Sequence, residues 1–312
     1  MRIDRPFLKL PRQFDARALA AEVNALPASA WVAHPTNYEA NDAVLLVTPG
    51  GERVHSFAGP MAATEHLKRC PYMMEVMAEL GGPWGRSRLM GLEPGGRVPM
   101  HIDTNYHWRT HVRIHIPLLT NPDVRFTCGG ETVHMGPGEC WTFDSFLPHT
   151  VANDGTTKRV HLVLDTVGSG PLWDLVEQAK AAPDATPKEH KPGDSAGREL
   201  RFEQHNVPKI MSPWEMRCHI DYVREQIPPS PVVAQVFAEL DRFATAWAGA
   251  WAQYETSADG IPAYNQLIVE AQQGLKRIGG GQLQISNGLP LYGVLTALIF
   301  RMAVPDPRHL AA

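Results

Sequence analysis

Two periods of apolar spacing take turns along this chain, and each predicts its own kind of element. Phe7-Leu-Lys-Leu10 reads as a short strand, and helical spacing then governs Asp15 to Leu26, with Asp15 as N-cap and Leu19, Val23 and Leu26 on one face. The unbroken apolar run from Ala43 to Val47 lies between Asn41-Asp42 and Pro49-Gly50-Gly51, which predicts a buried strand. Tyr72 to Leu80 returns to helical spacing, its inner face made of Met73, Val76 and Met77 as packing residues. Arg86 to Leu92 predicts a strand closed by the turn Glu93-Pro94-Gly95-Gly96. From Arg109 to Ile116 the period is two. Arg109, His111, Arg113 and His115 fall on one side and Thr110, Val112, Ile114 and Ile116 on the other, until Pro117 breaks the pattern. Glu139 to Asp144 follows the turn Gly136-Pro137-Gly138 as a further strand, and His149 to Arg159 forms a hairpin reversing at Asn153-Asp154-Gly155.

Beyond Asp165 the pattern changes. Residues 179–198 hold Pro, Gly, Ala and charge with no apolar period, which predicts a linker or a loop that orders over a bound substrate. Helical spacing resumes in Val232–Trp251, behind Pro231, and again in 264–275 and 291–302. The last stretch is too short and interrupted to span a bilayer. The expected class is α+β. A strand-rich domain with N-terminal helices would occupy 1–175, a linker or mobile loop 176–201, and a helical domain 202–312 that serves as a lid, a substrate surface or the surface of a homodimer.

Composition narrows the function without naming it. The chain has 312 residues, 44% of them apolar, which is ordinary for a globular protein. A net charge of −4 provides no general basic field for nucleic acid. Cys70, Cys128, Cys140 and Cys218 have no C-x-x-C spacing, so free thiols in a reducing compartment are expected. The polar start, Met1-Arg-Ile-Asp-Arg-Pro6, does not read as a signal peptide, and a cytoplasmic location away from membranes is the expectation.

The candidate chemistry lies between Gly91 and Asp165. His101-Ile102-Asp103 on extended backbone would present both side chains to one point, because residues two apart on a strand share a side. His149 would be the third ligand, and the hairpin would return Arg159 to its neighbourhood as a cation suited to binding a carboxylate. Two imidazoles and one carboxylate on one face of an ion are the set used by non-haem Fe(II) oxygenases. Each of these residues taken singly is an ordinary surface or hydrogen-bonded side chain, and only their joint placement points to a metal. His219-Ile220-Asp221 repeats the tripeptide in a helical context, where the two side chains diverge. His107, His111 and His115 would line one face of a helix as a zinc site, but the alternation around them argues for a strand.

These segments resemble the aspartyl/asparaginyl β-hydroxylase family in four places. They are the P-G-x-x-[apolar]-x-x-H-x-D pattern ending at Asp103, a strand-borne R-x-H, the G-x-x-W-x-F-D-x-x-x-x-H segment ending at His149, and the H-x-V-x-N-x-x-x-x-x-R ending at Arg159. The resemblance covers about residues 86 to 166. It implies a double-stranded β-helix (jelly-roll, cupin-like) core, with Fe(II) on His101, Asp103 and His149, and 2-oxoglutarate and O2 as co-substrates. Arg159 would take the distal carboxylate of 2-oxoglutarate, and Arg109 and His111 would face the co-substrate and the substrate. Met90 stands where a hydroxyl can help hold the co-substrate. The implied reaction is hydroxylation of an unactivated C–H bond, with succinate and CO2 as by-products. Arg109, Arg113 and Arg97 would favour a carboxylate-bearing substrate, a free L-amino acid or a derivative. The alternatives are a peptidyl Asp/Asn hydroxylase, a cupin-like metal protein working without O2, which would form no succinate, and a non-catalytic binding module, which would tolerate loss of His149.

Overall fold

The computed structural model describes residues 3–35, 38 and 40–306. Its strands are β1 (Phe7–Phe14), β2 (Val32–Ala33), β3 (Asn41–Pro49), β4 (Met61–Ala63), β5 (Pro83–Leu92), β6 (Arg97–His101), β7 (Val112–Leu119), β8 (Val124–Cys128), β9 (Glu131–Val133), β10 (Glu139–Phe143), β11 (His149–Asn153), β12 (Arg159–Thr166), β13 (Lys188–His190) and β14 (Arg201–Phe202). Its helices are α1 (Ala16–Ala25), α2 (Glu65–Lys68), α3 (Pro71–Leu80), α4 (Tyr106–Thr110), α5 (Gly170–Ala181), α6 (Pro213–Glu225), α7 (Pro231–Tyr254), α8 (Ile261–Ile278) and α9 (Leu291–Leu295). The chain divides into two compact units, one made of the chain up to Asp103 with Thr110–Asn206, the other of Thr104–Arg109 with the chain from Val207 onward.

The first unit is built on two sheets. The larger runs in the order β13-β1-β10-β7-β12-β5-β3-β2, with β14 added on β5 and β4 on β3; the smaller runs β6-β11-β8-β9. Pairing is antiparallel except for β1 with β13 and β5 with β14. An apolar core joins the sheets, with Phe7, Leu92 and Phe143 from the larger and Phe126, Cys128 and Val151 from the smaller. The central strand β12 is buried along its whole length, so its polar residues, Arg159, His161 and Asp165, are buried with it. Burial of that kind is costly unless each group finds a partner. Helix α1 begins as expected, with the Asp15 carboxylate accepting from the Arg17 and Ala18 amides.

Two expectations change here. The alternation from Arg109 to Ile116 is only half a strand: β7 starts at Val112, and Tyr106–Thr110 is a helical turn whose first amides are met by Asn105. The stretch expected to link two domains belongs instead to the first unit. Helix α5 runs to Ala181, β13 pairs with β1, β14 pairs with β5, and the second unit takes up the main chain only from Val207.

In the second unit, Ser212 and Ser230 cap α6 and α7 by accepting from the Glu215 and Val233 amides. Trp247 is buried at its centre, donating to the Met211 carbonyl at 2.8 Å with its ring 4.5 Å from Tyr264. His219-Ile220-Asp221 lies on α6, where His219 is buried and Asp221 pairs with Arg224. The two side chains diverge, as a helix requires. Among the described residues, no helix is long and apolar enough to cross a membrane.

Candidate metal centre

Strands β6 and β11 are antiparallel neighbours, and their register sets His101 directly opposite His149. The rings lie 4.1 Å apart, centroid to centroid. Asp103 follows two residues beyond His101, held by its own amide, which donates to the Ser145 carbonyl at 3.0 Å. One ligand atom from each of His101, Asp103 and His149 lies within 4.8 Å of the others. His101 Nε2 is 3.9 Å from Asp103 Oδ1, and His149 Nε2 is 3.9 Å from Asp103 Oδ2. Two metal bonds of about 2.1 Å span up to roughly 4.2 Å, so each histidine stands at a distance from the shared carboxylate that suits ligands of one ion.

The backbone settles which ring nitrogens face that point. His101 Nδ1 is 2.9 Å from the Pro99 carbonyl and His149 Nδ1 is 2.9 Å from the Leu147 carbonyl. A carbonyl only accepts, so each Nδ1 carries the proton and each Nε2 keeps its lone pair for a metal. Burial, opposed by Asp103, pushes the His149 imidazole down to about 4, which keeps it neutral at ordinary pH.

Next to this group, the inner face of β5, β12 and β7 is charged. Arg113 on β7 lies opposite Asp165 on β12 and grips both its oxygens, with Nε at 2.9 Å and Nη2 at 3.4 Å. Its third nitrogen, Nη1, is 3.6 Å from Asp103 Oδ2. The same guanidinium therefore orients a candidate ligand and neutralises a buried acid. Arg86 on β5 approaches Asp165 at 3.8 Å, and Arg88, two residues on, contacts His34 Nε2 at 3.2 Å. Burial and the neighbouring arginines push His34 down to about 3, so the ring is neutral and accepts from Arg88.

Farther along β12 is Arg159. Its Nη2 lies 2.7 Å from His161 Nδ1, its Nε is buried without a hydrogen-bond partner, and no described carboxylate pairs with it. Burial pulls this guanidinium down to about 9. His115 on β7 reaches the same place, with its Nδ1 3.4 Å from His161 Nδ1. Phe126 and Phe143 stand between this cluster and the candidate ligands, packing on His115 at 5.5 and 5.3 Å and on His149 at 6.4 and 5.0 Å. Met90 is the direct cross-strand neighbour of His161, so the polar partner of Arg159 stands on β12 itself.

The residues read from the sequence are thus sorted by the fold. His101, Asp103 and His149 come together, and Arg113 reaches them. Arg97 is an exposed residue of β6 paired with Asp154 at 2.5 Å. Arg109 lies on α4 in the second unit, with its guanidinium 4.0 Å from the centre of the Tyr222 ring. His111 precedes β7 and binds the buried Glu203 through Nε2 at 2.9 Å. The R-x-H whose residues point inward is Arg113-Ile114-His115. Arg86, Arg88, His161 and Asp165 join the site through the fold, and the signal they leave in the sequence is a pair of polar residues two apart inside apolar strands, Arg86/Arg88 and Arg159/His161.

Residues 16–168 match the family model described as aspartyl/asparaginyl beta-hydroxylase. A curated relative, L-proline cis-4-hydroxylase of Rhizobium meliloti (strain 1021), is 31% identical over 114 residues, which are 36% of this chain and 41% of that protein. The chain therefore matches about two fifths of that relative's length. Among solved structures, an oxidoreductase of the 2OG-Fe(II) oxygenase family from Burkholderia pseudomallei is 12% identical, with 50% of this chain and 93% of that one covered at a TM-score of 0.32. A cupin domain from Bordetella pertussis is 20% identical over 26% of this chain and 79% of its own, at a TM-score of 0.22.

Proposed function

We propose that the protein, whose residues 16–168 match the aspartyl/asparaginyl beta-hydroxylase family model, is an Fe(II)- and 2-oxoglutarate-dependent hydroxylase of a small carboxylate-bearing substrate, a free L-amino acid or a derivative. The observation that carries this reading is the convergence of His101, Asp103 and His149 in the same unit as Arg159, a buried cation with no described carboxylate beside it. In this reading the two sheets and the core between them are a double-stranded β-helix. Three protein ligands leave positions open on an ion, as non-haem iron oxygenases require. Iron held there would supply the activation of O2, and 2-oxoglutarate the second electron pair, so that R–H, O2 and 2-oxoglutarate become R–OH, succinate and CO2.

The chain's own residues supply binding and orientation. Arg159 meets the distal carboxylate of 2-oxoglutarate, Phe126 and Phe143 keep the side of the site beside His149 apolar, and Arg113 steadies Asp103. Arg86 and Arg113 both approach Asp165, and Arg88 follows Arg86 two residues along β5, so this face of the site is lined by guanidinium groups. Guanidinium groups of this kind suit a substrate carboxylate. The curated relative is by name an L-proline hydroxylase, which favours a free amino or imino acid over a peptide.

The test is succinate formation by protein loaded anaerobically with Fe(II), then given 2-oxoglutarate, air and a panel of free L-amino acids and Asp- or Asn-containing peptides. Succinate is expected with one or a few free amino acids. It should fall to background in His101→Ala, whose thermal transition is retained. Succinate driven only by the peptides would move the substrate to a protein side chain. Iron bound with no succinate under any condition would overturn the oxygenase reading in favour of a metal protein working without O2.

A further inference from the structure

Arg159 does not stand alone, and its neighbour is more than packing. A guanidinium can only donate, so the 2.7 Å contact from Arg159 Nη2 requires His161 Nδ1 to be a bare acceptor. The proton of the neutral ring then sits on Nε2, a buried atom without a hydrogen-bond partner. Arg159 Nε is a second buried donor in the same condition. His115, reaching across from β7, comes within 3.4 Å of the same Nδ1 and packs edge to face on the ring, with centroids 5.7 Å apart. An unmatched buried donor on the guanidinium itself and another on the adjoining imidazole suit a group that only accepts and carries negative charge, as a carboxylate does. The imidazole cannot swing away, since it is 1% exposed in the middle of the most buried strand.

We propose that His161 is the positioning residue of the co-substrate anchor: by accepting from Nη2 it fixes the rotation of the Arg159 guanidinium, so that the remaining N–H groups present a set edge to the distal carboxylate. The inference rests on the reading of Arg159 given above. Positioning of this kind acts on co-substrate binding and leaves the reacting bonds alone, so His161 governs the affinity for 2-oxoglutarate and not the rate at saturation. Discrimination between carboxylates of different chain length follows from the same fixed depth.

The experiment uses full-length protein with Fe(II) under anaerobic conditions. 2-Oxoglutarate is titrated while the visible charge-transfer band of its iron chelate is followed, alongside KM and kcat from succinate formation. His161→Leu removes the acceptor. His161→Asn restores one, because the Asn Oδ1 falls where the imidazole Nδ1 was, and His161→Gln displaces it outward by one carbon. Dissociation constant and KM for 2-oxoglutarate are expected to rise at least about tenfold in His161→Leu and in His161→Gln, the latter serving if the former does not fold. They should stay within about threefold of wild type in His161→Asn, with kcat little changed throughout and preference for 2-oxoglutarate over 2-oxoadipate relaxed in the weak variants. Unchanged 2-oxoglutarate affinity in folded His161→Leu or His161→Gln overturns the proposal alone. Wild-type protein that binds Fe(II) but takes up no 2-oxoglutarate overturns the reading of Arg159 and this inference together.

Discussion

At the scale of single residues, charge and burial decide what the site can do. His149 is buried beside His101 and Asp103 and is held at about 4, against an ordinary value of 6.5. The sign follows from proton counting: between those values the unfolded chain binds a proton that the folded chain refuses, so stability rises with pH across the window. Metal-free protein should therefore lose stability as pH falls from about 6.5 towards about 4, by an amount on the order of 3 kcal/mol from this group. Thermal midpoints measured through that range, with and without a divalent metal, check it. A metal-free midpoint that stays flat from pH 7 to pH 4.5 would count against the buried neutral imidazole. The three candidate ligands and Arg159 were readable because each sits in a short motif with a fixed offset. Arg86, Arg88, His161 and Asp165 were not, because their meaning comes from the cross-strand register that faces Asp165 to Arg113 and His161 to Met90.

At the scale of elements, turns and caps place the strands that carry those residues. Gly138 opens β10 with φ at 76°, donates to the Pro117 carbonyl and accepts from the Phe14 amide, each at 2.8 Å, and so ties the ends of β7 and β1 to the start of β10. A Cβ there would sit 2.1 Å from the Phe14 carbonyl oxygen. Gly138→Ala is therefore expected to cost about 2–4 kcal/mol, from the left-handed backbone together with the forced shift. Chemical denaturation measures it, and a loss under about 1 kcal/mol would show that this junction gives way easily. Period-two patterning failed at one point for a local reason. Asn105 accepts from the Trp108 amide through its side chain, at 3.2 Å, and turns the next residues into a helix, so Arg109 never joins the strand it seemed to begin. Asparagine ahead of a helical turn was a cap signal, and the alternation overrode it.

At the scale of the whole molecule, the stretch between α5 and β14 is pinned by scattered polar contacts. Glu79 on α3 collects Arg12 at 3.1 Å, Arg198 at 2.9 Å and Lys188 at 3.7 Å, while His190 Nε2 meets Ser195 Oγ at 2.9 Å. Tyr72 donates to the His190 carbonyl at 2.5 Å. Glu79→Ala should release this strap, lowering stability by roughly 1–3 kcal/mol and speeding tryptic cleavage after Lys188 and Arg198. Cleavage at the wild-type rate would mean that strand pairing alone retains it. None of these contacts recurs at a regular spacing, which is why the segment read as a linker.

Local rules carried the reading a long way: apolar periods located most strands and helices, and a tripeptide with two later residues marked the candidate ligands. Those signals live within a few residues of the chain, where backbone geometry alone relates one side chain to the next. The charged inner face, the partner of Arg159 and the attachment of the strap join residues far apart in sequence. They exist only once β5, β12 and β7 lie side by side, since hydrogen-bonded register, and no property of a single segment, determines which buried groups meet.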